Sequence, residues 1–166
     1  MEKMWSPWRS QYIESFKEKK SDIKGCVFCG SMNDSLDDDQ SLVVYKGEKT
    51  FTVLNLYPYN NGHLMVVPYR HISDIAELTM EEMTEVLTTI QRLIAALRAT
   101  SNPEGFNIGA NLGKVSGAGI ADHIHFHVVP RWNGDTNFMP VIGSVKVLSQ
   151  DLLTTKIQLQ KELGII

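Results

Sequence analysis

Five histidines occur in the 166-residue chain, and three of them, His123, His125 and His127, fall within five residues. They alternate with Ile124, Phe126 and Val128 inside the stretch Ala121 to Trp132. This period-two pattern predicts a β-strand with its imidazoles on one face and its apolar side chains turned to a core. Pro130 has no N–H to give a ladder and is expected to end the strand. A single histidine is usually a hydrogen-bonded core residue. Three on one face bury poorly and repel when protonated, whereas a row of groups titrating near neutrality suits proton transfer, nucleophilic attack or metal binding.

Two further stretches could do chemistry. Asn111 to Ile120 runs directly into the histidines and holds Gly113, Gly117, Gly119, Ser116 and Lys114. Glycines let backbone N–H groups approach an anion and nest around it, so beside the histidines the loop reads as a phosphate cradle. Lys114 and Arg131 are the local positive charges it could use. The loop is not a Walker A motif, because Val115 stands where Ser or Thr must bind magnesium. Nor is it a dinucleotide fingerprint, because Asp122 replaces the third glycine and a strand follows. Cys26 and Cys29 have the spacing of half a tetrahedral zinc site. A redox dithiol and a pair of inert buried thiols are the other readings.

These residues must be positioned by the rest of the chain. Leu42 to Lys46 and Thr50 to Leu54 are β-branched and aromatic around Gly47-Glu48-Lys49, which predicts a hairpin. His63 to Pro68 is a nearly continuous apolar run and predicts a central strand. Thr79 and Glu82 form a capping box. Met83, Val86, Leu87, Ile90, Leu93, Ile94 and Leu97 then recur at helical spacing until Ser101-Asn-Pro103. Phe106 to Asn111 predicts a fourth strand and the histidine stretch a fifth. Residues 1–20 read as an arm with Trp5, Trp8, Tyr12 and Phe16, and 134–143 as a loop or extended arm. Ser149 is a candidate cap for a last helix over Gln150 to Leu163, with Gly164 as its stop. Asp34 to Asp39 reads as a solvated loop. The class is α+β, one domain over 1–166, with a mainly antiparallel sheet.

A hydrophobic content of 43% fits a globular protein with a real core, and a net charge of −3 argues against a general nucleic-acid surface. No apolar run approaches the ~20 residues of a membrane span. The polar, aromatic N-terminus lacks a signal-peptide core. Two close cysteines do not make a secreted disulfide framework. A cytoplasmic location is expected.

His123 to Val129 matches the His-φ-His-φ-His-φ-φ signature of the histidine triad (HIT) superfamily. Asn55 to His71 is similar to that family's second block. Arg131 to Pro140 and the N-terminal Trp5-Ser-Pro-Trp-Arg9 resemble the branch containing bacterial diadenosine tetraphosphate (Ap4A) phosphorylases and hydrolases. The resemblance implies a homodimer with a five-stranded antiparallel half-sheet per subunit, a long helix and a C-terminal helix, within a single HIT domain with an arm over 1–20 and a C-terminal arm and helix over 134–166. It implies cleavage of dinucleoside polyphosphates at the α-phosphate through a nucleotidyl-histidine intermediate. His125 would be the nucleophile, His123 and His63 its buttresses, and His127 the contact to phosphate oxygens or the leaving group. Asn55 would face the ribose hydroxyls. Where many relatives carry Gln-Ser or Gln-Thr ahead of the triad, this chain has Gly119-Ile120. Asn111, Ser116 and the backbone N–H groups of the Gly117 and Gly119 region would then hold the phosphates. By the same resemblance Cys26, Cys29, His71 and His123 would bind structural zinc, and no cofactor would be needed for catalysis. The alternatives are a nucleoside phosphoramidase of the same superfamily, a nucleotide-binding regulatory module, and a metal-binding protein using the histidine row directly. The expected partners are a nucleotide substrate and a second copy of the chain, with no nucleic acid and no membrane.

Overall fold

The computed structural model describes residues 25–136 and 148–166. The expected arm over 1–20 and most of the 134–143 segment lie outside them. Five antiparallel strands form one sheet in the order β1-β2-β3-β5-β4. They are β1 (Val43–Lys46), β2 (Thr50–Leu54), β3 (Leu64–Pro68), β4 (Gly105–Gly109) and β5 (Phe126–Arg131). The helices are α1 (Val27–Ser31), α2 (Met80–Ser101) and α3 (Leu152–Glu162).

The capping box opens α2 as expected: the Thr79 hydroxyl accepts from the Glu82 N–H and the Glu82 carboxylate from the Thr79 N–H. Asn102, in the left-handed region at φ 44°, closes it. The buried stripe of Val86, Ile90, Leu93 and Leu97 belongs to one core with Leu54, Leu64, Val66 and Val128 of the sheet. Glu85 holds the β1–β2 hairpin against this helix, since its carboxylate accepts from the Lys49 and Thr50 N–H groups. A Cβ at Gly47 would displace that carboxylate from its place against the turn.

The hairpin and the central third strand stand where the sequence predicts them, and the fourth strand ends at Gly109 rather than Asn111. Both ends of the fifth strand also differ. The fifth strand begins only at Phe126, so His123 and His125 precede it. The β3–β5 ladder pairs Val66 with Phe126 and Leu64 with Val128. Its next hydrogen-bonded step would take an N–H from Pro68, which has none. The Pro68 carbonyl instead accepts from the His123 ring at 2.9 Å, and the Ile124 N–H turns to the Ile72 carbonyl at 2.7 Å. Conversely, Pro130 does not end the strand, which continues to Arg131. Its nitrogen faces the side where β3 has already finished, and its carbonyl accepts from the Asn60 amide. No ladder bond is lost there.

The last helix is capped by Asp151 rather than Ser149 and starts at Leu152. A carboxylate accepting from the Thr154 N–H also complements the positive end of the helix dipole. The Ser149 hydroxyl is used by the Asn61 amide. Within α3, Lys156 is only 2% exposed. Its ammonium donates to the carbonyls of Asp38 and Ser41, which docks the acidic 34–39 segment onto the helix. Among the described residues no helix is long and apolar enough to cross a membrane.

Candidate active site and metal centre

His63 and the triad converge from two segments that the sheet brings together. Gly62 has a φ of +72°, and a Cβ there would press on Leu97 at 2.9 Å. Only glycine fits the turn that delivers His63 into β3. Met65 pairs with His127 across the β3–β5 ladder. The second apolar cluster of Ile72, Leu78 and Ile124 packs the loop carrying His71 against the loop carrying His123 and His125.

Hydrogen-bond partners fix which nitrogen of each imidazole carries a proton. The Tyr59 N–H donates to His63 Nδ1 at 3.0 Å, and the Asn55 amide lies 3.3 Å from the same atom. His63 Nδ1 is therefore bare, and Nε2–H donates to His127 Nδ1 at 2.9 Å. That leaves the proton of His127 on Nε2, a buried atom without a hydrogen-bond partner among the described residues. A carbonyl only accepts, so His125 Nδ1, 3.0 Å from the His123 carbonyl, carries hydrogen and Nε2 carries the lone pair. By the same logic His123 donates from Nε2 to Pro68 and turns a bare Nδ1 toward Cys26 Sγ at 3.3 Å and Cys29 Sγ at 3.6 Å.

Burial keeps these rings neutral. It pushes His63 down to about 3, with His127 and His125 adding to the effect. It pushes His127 down to about 4, with His125 adding to it. His125 and His123 are also lowered by burial, against the opposing pull of the carbonyls they donate to. An unfolded chain takes up protons on histidine below about pH 6.5, while the folded site does not until about pH 3–4. Stability is therefore highest above pH 6.5 and falls as the pH drops from there toward 4, by up to about 1.4 kcal/mol per pH unit for the buried His63 and by less for the half-buried His127, which solvent screens. Urea unfolding at pH 7, 6 and 5 should show a falling midpoint, and His63→Gln should flatten the slope. A midpoint constant over that range would contradict neutral imidazoles at His63 and His127.

The expected metal set comes together. One ligand atom from each of Cys26, Cys29, His71 and His123 lies within 4.8 Å of every other. Cys29 Sγ is 3.2 Å from His71 Nδ1. Bond lengths to zinc of about 2.3 Å for sulfur and 2.0–2.1 Å for nitrogen put tetrahedral sulfur and nitrogen neighbours about 3.6 Å apart. Both histidines point Nδ1 inward, and His123 Nδ1 is already deprotonated by its partner on Nε2. Burial raises the Cys29 thiol, and Cys26 beside it raises it further; a divalent cation between them reverses that penalty. The donor set fits zinc.

The structure places the residues expected to hold phosphate in different surroundings. Asn111 lines the cavity beside His127, but Ser116, Gly117 and Gly119 are not among its lining residues. The Ser116 hydroxyl donates to the Gly113 carbonyl within its own turn. Arg131 holds Asp135 through two hydrogen bonds of 2.6 and 2.9 Å, so its charge is already paired. Asn55 accepts from the Tyr57 N–H, and its amide lies 3.3 Å from His63 Nδ1. Two contributors were not foreseen. Phe28, between the cysteines, places its ring 4.9 Å from that of His125. Tyr59 supplies the N–H that sets the His63 tautomer. An aromatic inside Cys-x-x-Cys, and one next to Pro58, were the available signals.

Comparison with known proteins supplies a context for this geometry. A family model described as HIT domain matches residues 37–134. The chain is 41% identical over 158 residues to AP-4-A phosphorylase of Mycobacterium tuberculosis (strain CDC 1551 / Oshkosh), covering 94% of this chain and 81% of that protein. It is 32% identical over 92 residues to bis(5'-adenosyl)-triphosphatase of Dictyostelium discoideum, covering 55% of this chain and 61% of the relative. Among solved structures, a Zn-bound histidine triad family protein from Mycobacterium smegmatis superimposes with a TM-score of 0.68 at 28% identity, covering 84% of this chain and 94% of the other.

Proposed function

The chain belongs to the HIT domain family, and from that premise we propose that it cleaves dinucleoside polyphosphates at the α-phosphate, with His125 as nucleophile. The observation that carries this reading is the proton arrangement. His125 offers a bare Nε2 because its Nδ1–H is held by the His123 carbonyl. A neutral imidazole in a fixed tautomer is a competent nucleophile toward phosphorus.

In the first step His125 Nε2 bonds to the α-phosphorus while the bond from phosphorus to the bridging oxygen breaks. The nucleoside polyphosphate leaves with that electron pair. His127 is neutral near pH 7, since its pKa lies at about 4. It therefore acts as a hydrogen-bond donor through Nε2–H to a phosphoryl or departing oxygen, rather than as a Brønsted acid. A polyphosphate leaves as a stable anion and needs no full proton. The positive charge that develops on the nucleotidylated His125 is met by the His123 carbonyl on Nδ1–H. In the second step an acceptor oxygen bonds to phosphorus, the phosphorus–nitrogen bond breaks, and Nε2 regains its lone pair.

Water as acceptor gives hydrolysis and inorganic phosphate gives phosphorolysis. The identity to the mycobacterial AP-4-A phosphorylase over 94% of this chain favours phosphate. Incubation with diadenosine tetraphosphate and phosphate should yield ATP and ADP; ATP and AMP would make the protein a hydrolase. Failure to consume the compound under either condition would overturn the reading.

The same proposal includes structural zinc on Cys26, Cys29, His71 and His123, where the ion would cross-link α1 to the loops on either side of the site. It also includes a homodimer. Among the described residues β4 is an edge strand, and Ile108 on it is 50% exposed. An open edge of this kind offers unpaired backbone groups to a second copy.

A further inference from the structure

Beyond His127 the site opens into a cavity of about 420 Å³, a size typical of small-molecule sites. His127, Tyr59, Asn107, Asn111 and Arg131 line it. It lies on the side of His125 away from the Cys2His2 cluster. The rings run in a row, with His71 and His123 4.9 Å apart at one end and His125 and His127 4.8 Å apart at the other. Displacement at phosphorus is in line, so the departing half of a substrate points away from His125. The half retained on His125 does not need this space.

Tyr59 is the aromatic at this cavity. The residue is 56% exposed, yet its place is fixed. It rests 4.6 Å from the His63 ring and 5.9 Å from that of His127. Its N–H is bound to His63, and Pro58 before it restricts the backbone. An exposed aromatic held in one position is a ready stacking surface, and every nucleobase has a face to offer it. The polar lining suits phosphate. Asn107 Oδ1 accepts from the Arg131 guanidinium, which turns to the cavity an amide whose N–H groups can donate. The Asp135 carboxylate also lines the cavity, but Arg131 already neutralises it through two hydrogen bonds.

We propose that this cavity is the subsite for the departing nucleoside polyphosphate, with its base stacked on Tyr59 and its phosphates met by His127, Asn107 and Asn111. The assignment rests on the reaction read above. It makes Tyr59 the residue that selects a substrate carrying a second nucleoside.

The test compares diadenosine tetraphosphate with adenosine 5′-tetraphosphate, which has the same phosphate chain but a single nucleoside. Wild-type protein should prefer the former. Tyr59→Ala should reduce the ratio of the two kcat/KM values about tenfold or more, and Tyr59→Trp should preserve it. The same ratio can be read as Kd in the His125→Ala background, where no turnover intervenes. A purely structural role for Tyr59 lowers both substrates alike and leaves the ratio unmoved. That outcome, or a wild-type ratio near one, overturns the subsite. If neither compound is turned over but the Kd ratio behaves as stated, the reaction reading fails and the subsite stands.

Discussion

His125→Ala should lower turnover of diadenosine tetraphosphate about 10³-fold or more while leaving nucleotide affinity within a few-fold of wild type. The size of the loss follows from the arrangement of the four imidazoles. His123 has both nitrogens engaged, His63 has both engaged, and His127 presents a hydrogen rather than a lone pair. Only His125 combines a bare Nε2 with an Nδ1–H anchored on the main chain. Alanine removes the attacking atom, and no neighbour in a competent tautomer can substitute for it. Single-turnover kinetics with radiolabelled substrate would separate chemistry from binding. Activity within tenfold of wild type would assign the nucleophile elsewhere.

The second large effect concerns the cysteines. Purified protein should contain one zinc per chain, and its removal by a chelator should lower the melting temperature by about 10 °C or more, as expected for a loss of several kcal/mol in a chain of this size. Cys29→Ser should reproduce the shift in the absence of chelator. The reason is geometric. α1 is a single short helix of five residues, too brief to hold itself in place. Phe28 anchors it from one side, and a metal shared with His71 and His123 would anchor it from the other. Metal analysis and differential scanning calorimetry check both statements. Metal-depleted protein with an unchanged melting temperature would remove zinc from the account.

Much of the framework was legible because its signals are local. The capping box at Thr79 and Glu82, the helical stripe of α2 and the hairpin around Gly47 are each specified by residues within a few positions of one another. The histidine stretch shows where that legibility stops. Its alternation correctly puts Ile124 and Val128 into apolar clusters. The point where the strand begins is decided by Pro68, more than 50 residues away, through an N–H it does not have. Pro130 shows the converse: a proline reads as a terminator until the neighbouring strand is known to have ended. Ser149 and Asp151 are both competent caps, and the choice between them turns on Ser149 being taken by Asn61. In the glycine loop, Ser116 offered a phosphate donor in the sequence, but its hydroxyl is satisfied three residues back, a local competition that composition does not display. The metal set was reachable only through the resemblance, because Cys29 and His71 are 42 residues apart.

His123 carries three separate obligations on one residue: Nδ1 toward the cysteines, Nε2–H on Pro68, and its main-chain carbonyl under His125. It never has to touch the substrate to influence the reaction. Substitutions at Cys26 and at His125, though they fall in different parts of the chain, act on a shared intermediary, so their energetic effects cannot simply sum. On the proposed reading, a change to the metal-binding residues would thereby also change the basicity of His125 Nε2, so the two properties would be inherited as a single trait.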